Sequence, residues 1–377
     1  MMFVGDGLNN RLSDMINGNN SLLSKYKYTI YLIVISLLQI PNFAEAHGLL
    51  FIDLIGLDRV SQKNTSELKH SELLTRATLF YSRDFEKTKV LAEFIANNKQ
   101  SHFGRVKFAW KLDQANLLWF GRDHNPASYW RDSFHHGGWL QPTISRPSIS
   151  EFEVPGGILP SHTTGLTYEG GALVDNTAGL AYIFSFGYTS IMSSKGLQVP
   201  DLIENNRNKP SNSTAFRVSY RFEPFTAGNE FGILGSYNHI LSDLSKSKEI
   251  EQGIVGLFVN WNFSDFRITS ELTYIKNKII NSGTSITSNE NFLNAYVLAD
   301  YHLVNDWNIF ARWEDTNNEQ SSQYLHSFPK FVIKRNLLGM RYSITRNQIF
   351  KFEVSDNQLF TGTQYRQLAV QWSYVYP

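Results

Sequence analysis

The sequence predicts an all-β fold, an antiparallel transmembrane β-barrel of about 16 strands with one long internal constriction loop. Three observations predict it. The first is alternation, clearest at the end of the chain, where Leu368, Val370, Trp372, Tyr374 and Tyr376 are interleaved with Gln367, Ala369, Gln371, Ser373 and Val375. A strand of this period has one greasy face and one wet face. The second is that the same pattern recurs along the chain with no helical segment to cover the greasy faces. A bilayer is the apolar solvent that does so, and closure into a barrel satisfies the backbone. The third is that short and long connections take turns, which puts tight turns on one rim and long loops on the other. A soluble sandwich has no reason to segregate its loops in this way.

Composition narrows the class further. A mean hydropathy of −0.28 is too low for a bundle of membrane helices. Aromatic residues make up 14% of the chain, enough Tyr and Trp for girdles at two membrane interfaces. The absence of cysteine removes disulfide scaffolds, thiolate metal sites, Cys nucleophiles and a lipoprotein anchor together. A net charge of +1 offers no global field for nucleic acid.

The N-terminus reads as a leader, residues 1–46. Lys25 and Lys27 precede an apolar core, Thr29 to Ile40, and Ala44-Glu45-Ala46 follows as a small-x-small cleavage site. This is the order of a secretory signal peptide, and the core is below the roughly 20 residues that span a membrane. Met15 is a second candidate start. Cleavage after Ala46 leaves residues 47–377 as the barrel.

Alternation bounded by Asn, Asp, Gly and Ser turns marks strands at 48–57, 73–83, 88–97, 102–112 and 115–121, then at 162–174, 177–190, 213–223 and 229–241. The second half adds 252–263, 266–278, 291–303, 306–315, 330–344, 347–356 and 363–376. The set is even, as closure of a bacterial barrel requires. Short connections fall at Asn176, Ser264-Asp265, Val304-Asn305 and Thr345-Arg346. Long polar ones fall at 191–212, 242–251, 279–290 and 316–329.

The same alternation assigns faces. Phe216, Val218, Tyr220 and Phe222 point one way, Arg217, Ser219 and Arg221 the other. Arg105, Lys107, Arg267, Glu271, Arg312, Glu314, Arg335, Arg341, Lys351 and Glu353 fall on the inward side. A charge facing lipid costs about 2–4 kcal/mol near the midplane, so these belong to an interior that is expected to be wet throughout.

Residues 121–164 do not alternate. This stretch holds Pro126, Pro142, Pro147, Pro155 and Pro160, and four of the ten histidines: His124, His135, His136 and His162. A structureless stretch of this length inside a compact fold is usually functional. Trp130, Phe134 and Trp139 are its candidate anchors.

The C-terminal strand resembles the closing strand of Gram-negative outer-membrane proteins, although that family usually ends in Phe or Trp and this chain ends Tyr376-Pro377. Residues 121–164 resemble the loop that folds into the lumen of Gram-negative porins. The resemblance covers residues 47–377, is architectural, and singles out no subfamily. It implies residence in the outer membrane of a Gram-negative bacterium, contact with outer-membrane lipid and a homotrimer. It also implies passive diffusion of small hydrophilic solutes, with the many arginines favouring anions. The expected constriction sets Arg105, Lys107, Arg217, Arg221, Arg267, Arg312 and Arg341 on the wall against Asp132, Glu151 and Glu153 of the loop, with Arg131 and Arg146 beside them.

The competing reading is a non-conducting barrel that binds a ligand or divalent ion through His124, His135, His136 and His162. Their spacing includes no His-Glu-x-x-His, and adjacent His135 and His136 cannot readily aim at one ion. Catalysis is not expected, since Ser145, Ser148 and Ser150 lie in no Gly-x-Ser-x-Gly elbow. No cofactor is expected, and roughly 330 residues of strands and loops leave no room for a plug domain.

Overall fold

The computed structural model describes residues 46–61, 70–98, 101–134, 137–152, 157–174, 178–194, 196–199, 211–223, 228–242, 248–281, 286–304, 306–319 and 322–377. The expected leader lies outside them, except Ala46, which begins the first strand. The strands are β1 (Ala46–Ser61), β2 (Ser71–Asp84), β3 (Thr88–Asn97), β4 (Ser101–Lys111), β5 (Leu117–His124), β6 (His162–Leu173) and β7 (Gly179–Thr189). A short pair follows, β8 (Ile191–Ser193) and β9 (Gly196–Gln198). Then come β10 (Ser211–Arg221), β11 (Glu230–Leu241), β12 (Lys248–Phe263), β13 (Phe266–Asn281), β14 (Ile286–His302) and β15 (Trp307–Asn317). The chain closes with β16 (Val332–Thr345), β17 (Gln348–Leu359) and β18 (Gln364–Tyr376). Between β5 and β6 lie two short helices, α1 (Tyr129–Ser133) and α2 (Gly137–Leu140).

All strands except β8 and β9 form one closed barrel, antiparallel between neighbours and sealed where β1 pairs with β18. Leu54 faces Trp372 and Ile52 faces Tyr374 across that seam. The barrel has sixteen strands, each at a segment that the alternation marks. Closure leaves no edge strand in the barrel, so the ladder groups pair within the sheet apart from register shifts at Glu93/Phe94, Val332/Lys334 and Ser343/Thr345.

Burial follows the alternation. Leu272, Trp313 and Phe350 are exposed on the outside, while Glu271, Arg312, Glu314 and Glu353 on the same strands are buried inside. The outer surface therefore matches hydrocarbon. Near the short turns the rings of Tyr220, Phe222, Phe231, Trp261, Phe263 and Phe266 form a continuous chain, and Trp307 stacks on Tyr342 at 4.5 Å. Such a band is the aromatic girdle expected at a membrane interface.

Two expectations change. The connection read as 279–290 shrinks to residues 282–285, because β13 and β14 stay paired to Asn281 and Ile286. More importantly, the interior is not wet throughout. Ile254, Ile275, Phe292, Tyr296, Leu298 and Leu337 point inward and join one apolar core. The loops complete it: Trp130, Ile149, Ile158 and Leu159 from the β5–β6 connection, Met192 and Leu197 from β8 and β9, and Tyr324, Leu325 and Phe328 ahead of β16. Apolar side chains inside a lumen are stable only if something covers them, and these loops do so.

Candidate functional site

The described residues of 125–161, between β5 and β6, lie against the inward side chains of β10 to β18 and of β1. Wall carboxylates hold them by their backbone. Glu271 on β13 accepts from the N–H groups of Tyr129 (2.9 Å) and Trp130 (3.0 Å), the first two of α1. Helix-start N–H groups have no partner within the helix, and a carboxylate is their strongest acceptor. Asp53 on β1 accepts from Gly138 N–H at 3.0 Å. Glu353 on β17 accepts from Ile144 N–H (2.9 Å), from Ser145 N–H (3.2 Å) and from the Ser145 hydroxyl. Glu314 on β15 accepts from Ser148 N–H at 2.7 Å. Wall cations grip the carbonyls: Lys351 donates to Gly138 O (2.6 Å) and Gln141 O, Arg312 to Ser145 O (2.8 Å), and Arg335 to Arg146 O (2.5 Å).

Gly137 and Gly138 are demanded by this close approach. Gly137 has φ of +73°, and a Cβ there would lie 2.6 Å from the Phe51 ring. A Cβ on Gly138 would collide with Gln371.

The opposite side of the lumen, along β2 to β7, is left open. A cavity of about 370 Å³ lies there under Pro126 and Asp132. Arg105 pairs with Glu93 (3.0 Å) and Asp123 (3.9 Å), Lys107 pairs with Asp123, and Arg217 pairs with Asp132. Burial alone would raise the Asp132 carboxyl. Arg217, by charge and hydrogen bond, with Arg105 and Lys107 beyond, overrides that and holds it well below the usual carboxylate range. Since the folded value is depressed, this contribution to stability is complete above the unfolded value of about 4 and fades as pH falls below it. The gap in thermal midpoint between wild type and Asp132→Asn is expected to narrow below about pH 4. A gap constant from pH 7 to pH 3 contradicts this.

The remaining residues expected at the constriction are placed differently. Arg221 pairs with Glu230 (3.0 Å) and Arg267 with Asp300 (2.7 Å), both within the wall. Arg312 is buried against Glu314 at 2.8 Å beneath the loop. Arg341 lies over the Trp139 ring at 5.7 Å. Of the expected loop acids, Asp132 meets a wall base directly, and Glu153 lies outside the described residues. Glu151 is half-buried, within electrostatic reach of Arg146. Arg131 is an internal staple, donating to Pro160 O at 3.1 Å and Ile149 O at 3.5 Å. Arg146 lies over the Phe152 ring at 4.5 Å, and burial, with the like charge of Arg76, pushes its guanidinium down to about 10.

His124 and His162 face each other across β5 and β6, ring centroids 5.3 Å apart, with Phe152 against both. His135 and His136 lie outside the described residues. Among the described residues no group of three or more His, Asp or Glu is arranged to hold a metal. The Ser145 hydroxyl is bonded to Glu353, and Ser150 Oγ lies 3.0 Å from Ser128 Oγ.

Sequence reasoning placed Glu271, Glu314 and Glu353 inside but missed that they hold the loop. No side-chain pattern signals that role, because their partners are backbone N–H groups.

No protein-family model matches this chain, and no curated protein matches its sequence. Solved structures do match in shape. An anion-selective porin from Comamonas acidovorans superposes with a TM-score of 0.59 at 10% identity, covering 88% of this chain and 100% of its own. OmpF of Salmonella typhi, solved with daunomycin, gives 0.55 at 12%, covering 88% and 98%. OmpT, an outer-membrane protein of Vibrio cholerae, gives 0.54 at 9% in a trimer form, covering 88% and 99%. At such identities the likeness is one of fold. The fold is that of the porin-like outer-membrane β-barrels of Gram-negative bacteria, and the apolar outer face and aromatic girdle suit an outer-membrane setting.

Proposed function

We propose that this chain is a passive channel for small hydrophilic solutes, and that solutes pass the loop along the β2–β7 wall. The observation that carries this reading is the cavity between wall and loop, with Arg105, Lys107 and Arg217 facing Asp123 and Asp132. Fixed charges of both signs at a narrow point set ion selectivity in pores. The apolar core fills the other side, so these five residues, rather than Arg221, Arg267, Arg312 or Arg341, govern passage. A catalytic role is not part of the reading: the Ser145 and Ser150 hydroxyls are taken up in anchoring or packing the loop, and the Ser148 hydroxyl is buried. We further propose a homotrimer in the outer membrane and removal of residues 1–46 on export.

The test is single-channel recording in planar bilayers across a salt gradient. Discrete conductance steps are expected. Arg217→Glu changes the charge beside Asp132 by two units and is expected to move the reversal potential toward cations. An unchanged reversal potential, or a folded barrel with no conductance, contradicts the reading. The same preparation, taken from membranes, is expected to migrate as a trimer when unheated and to begin at His47.

A further inference from the structure

The cavity carries more than charge. Its floor, on the side of the short turns, is apolar: Leu91, Leu117, Trp119 and Ile183 line it, with Ala109 buried behind. These side chains point into the lumen, where the physical expectation is polar. On the core side similar residues are covered by the loops, but here they border open space.

Two charged groups flank this floor. On β6, Glu169 stands between Leu117 and Ile183 in the register. Among the described residues its contact is a neutral donor, the Trp119 indole N–H at 2.9 Å, rather than a base. On β3, Lys89 has one acid near it, Asp84 at 3.8 Å, and Asp84 also binds Lys111. Glu169 and Lys89 are therefore the two least compensated charges of the cavity, and they have opposite signs. Three strand spacings, roughly 14 Å, and two residues along the strand, roughly 7 Å, separate their backbones, about 16 Å in all. Two long side chains and a molecule the size of an amino acid span that gap. The cavity's bases (Lys89, Arg105, Lys107) equal its acids (Asp123, Asp132, Glu169), so neither a plain anion nor a plain cation is favoured by net charge.

We infer that this wall is a binding subsite for small zwitterions with an apolar body, of the amino acid or dipeptide class. The ammonium end meets Glu169, the carboxylate end meets Lys89, and the apolar side chain lies on Leu117 and Ile183. The inference builds on the reading of the lumen as a solute passage, but binding does not require conduction, so the two fail separately.

The test is calorimetric titration of the refolded barrel in detergent with four probes: phenylalanine, phenylacetate, phenethylamine and glycine. Phenylalanine alone has the ring and both charges. It is expected to bind about fivefold or more tighter than each of the others, one partly desolvated contact being missing in every case. Glu169→Gln is expected to remove its advantage over phenylacetate, and Leu117→Ser its advantage over glycine. Lys89→Gln, at a half-exposed position whose ion pair with Asp84 is long, 3.8 Å, is expected to remove the advantage over phenethylamine. Each variant is first checked for heat-modifiable migration. Equal binding of all four probes overturns the inference, as does phenylacetate binding as tightly as phenylalanine. So does phenylalanine binding that survives Glu169→Gln and Lys89→Gln unchanged. A barrel that conducts but shows no preference loses the subsite alone. One that binds phenylalanine but never conducts keeps the subsite and loses the channel.

Discussion

Replacing residues 127–159 by a short Gly/Ser linker is expected to raise single-channel conductance on the order of threefold, since an unfilled sixteen-strand barrel leaves an aqueous channel. The segment removed is what reduces the open lumen to the β2–β7 side. Once it is gone, Glu271, Glu353, Asp53 and Lys351 lose the backbone groups they hold and turn to water. Charges that can hydrate in a widened lumen carry little penalty. The apolar core is the counterweight. Loss of Trp130, Ile149, Ile158 and Leu159 uncovers Tyr296, Phe310 and Leu337, so the variant should also unfold at a lower temperature. The strand ladder does not use the loop, so closure at the β1–β18 seam is expected to survive, read as retained heat-modifiable migration. Unchanged conductance in a folded variant would mean that the loop does not restrict the passage.

Glu314→Ala is expected to be the most damaging single substitution in the wall, costing about 3–5 kcal/mol, the usual effect of stripping the partner from buried charge. Glu314 is buried, 2.8 Å from Arg312 and 3.2 Å from Arg335, and also accepts from Ser148 N–H. Its removal leaves two buried guanidinium groups facing each other with less countercharge and one loop N–H without its acceptor. The carbonyls of Ser145 and Arg146 still hold the guanidinium groups but carry no charge. The control is Asp356→Ala. Asp356 pairs with Arg366 at 3.0 Å, but both side chains are well exposed, at 64% and 70%. That exposed pair is expected to contribute less than about 1 kcal/mol. Denaturant midpoints of the two variants decide the matter, and equal shifts would show that Glu314 is not the centre of a buried cluster.

The barrel was legible because period two survives every context. In β18, Leu368, Val370 and Trp372 face out while Gln367, Ala369 and Gln371 face in, as alternation alone requires. The segment holding the loop was legible for the opposite reason, its prolines and lack of period. Its ends were less so: β5 runs on through His124, paired with His162, because pairing with a neighbour decides where a strand stops. The apolar core inside the barrel was hidden. Ile275 and Phe292 alternate like any strand residue, and nothing local tells an inward side chain whether water or Leu197 will meet it. The pair β8 and β9 was hidden too, inside a stretch that reads as a polar loop.

The sequence by itself determined the class of fold, the number of strands, the face on which each wall residue lies and the identity of the long loop. These follow from local periodicity and from the demand that a backbone in lipid pair completely. Only the tertiary structure decided which charges meet. Arg217 met a loop acid, while Arg221 and Arg267 met wall acids and Arg312 was buried under the loop. Those outcomes depend on how residues 125–161 cross the lumen, and that path is set by carboxylates that bind backbone N–H groups. Every non-proline residue carries the same N–H, so no side-chain pattern could have foretold the partner.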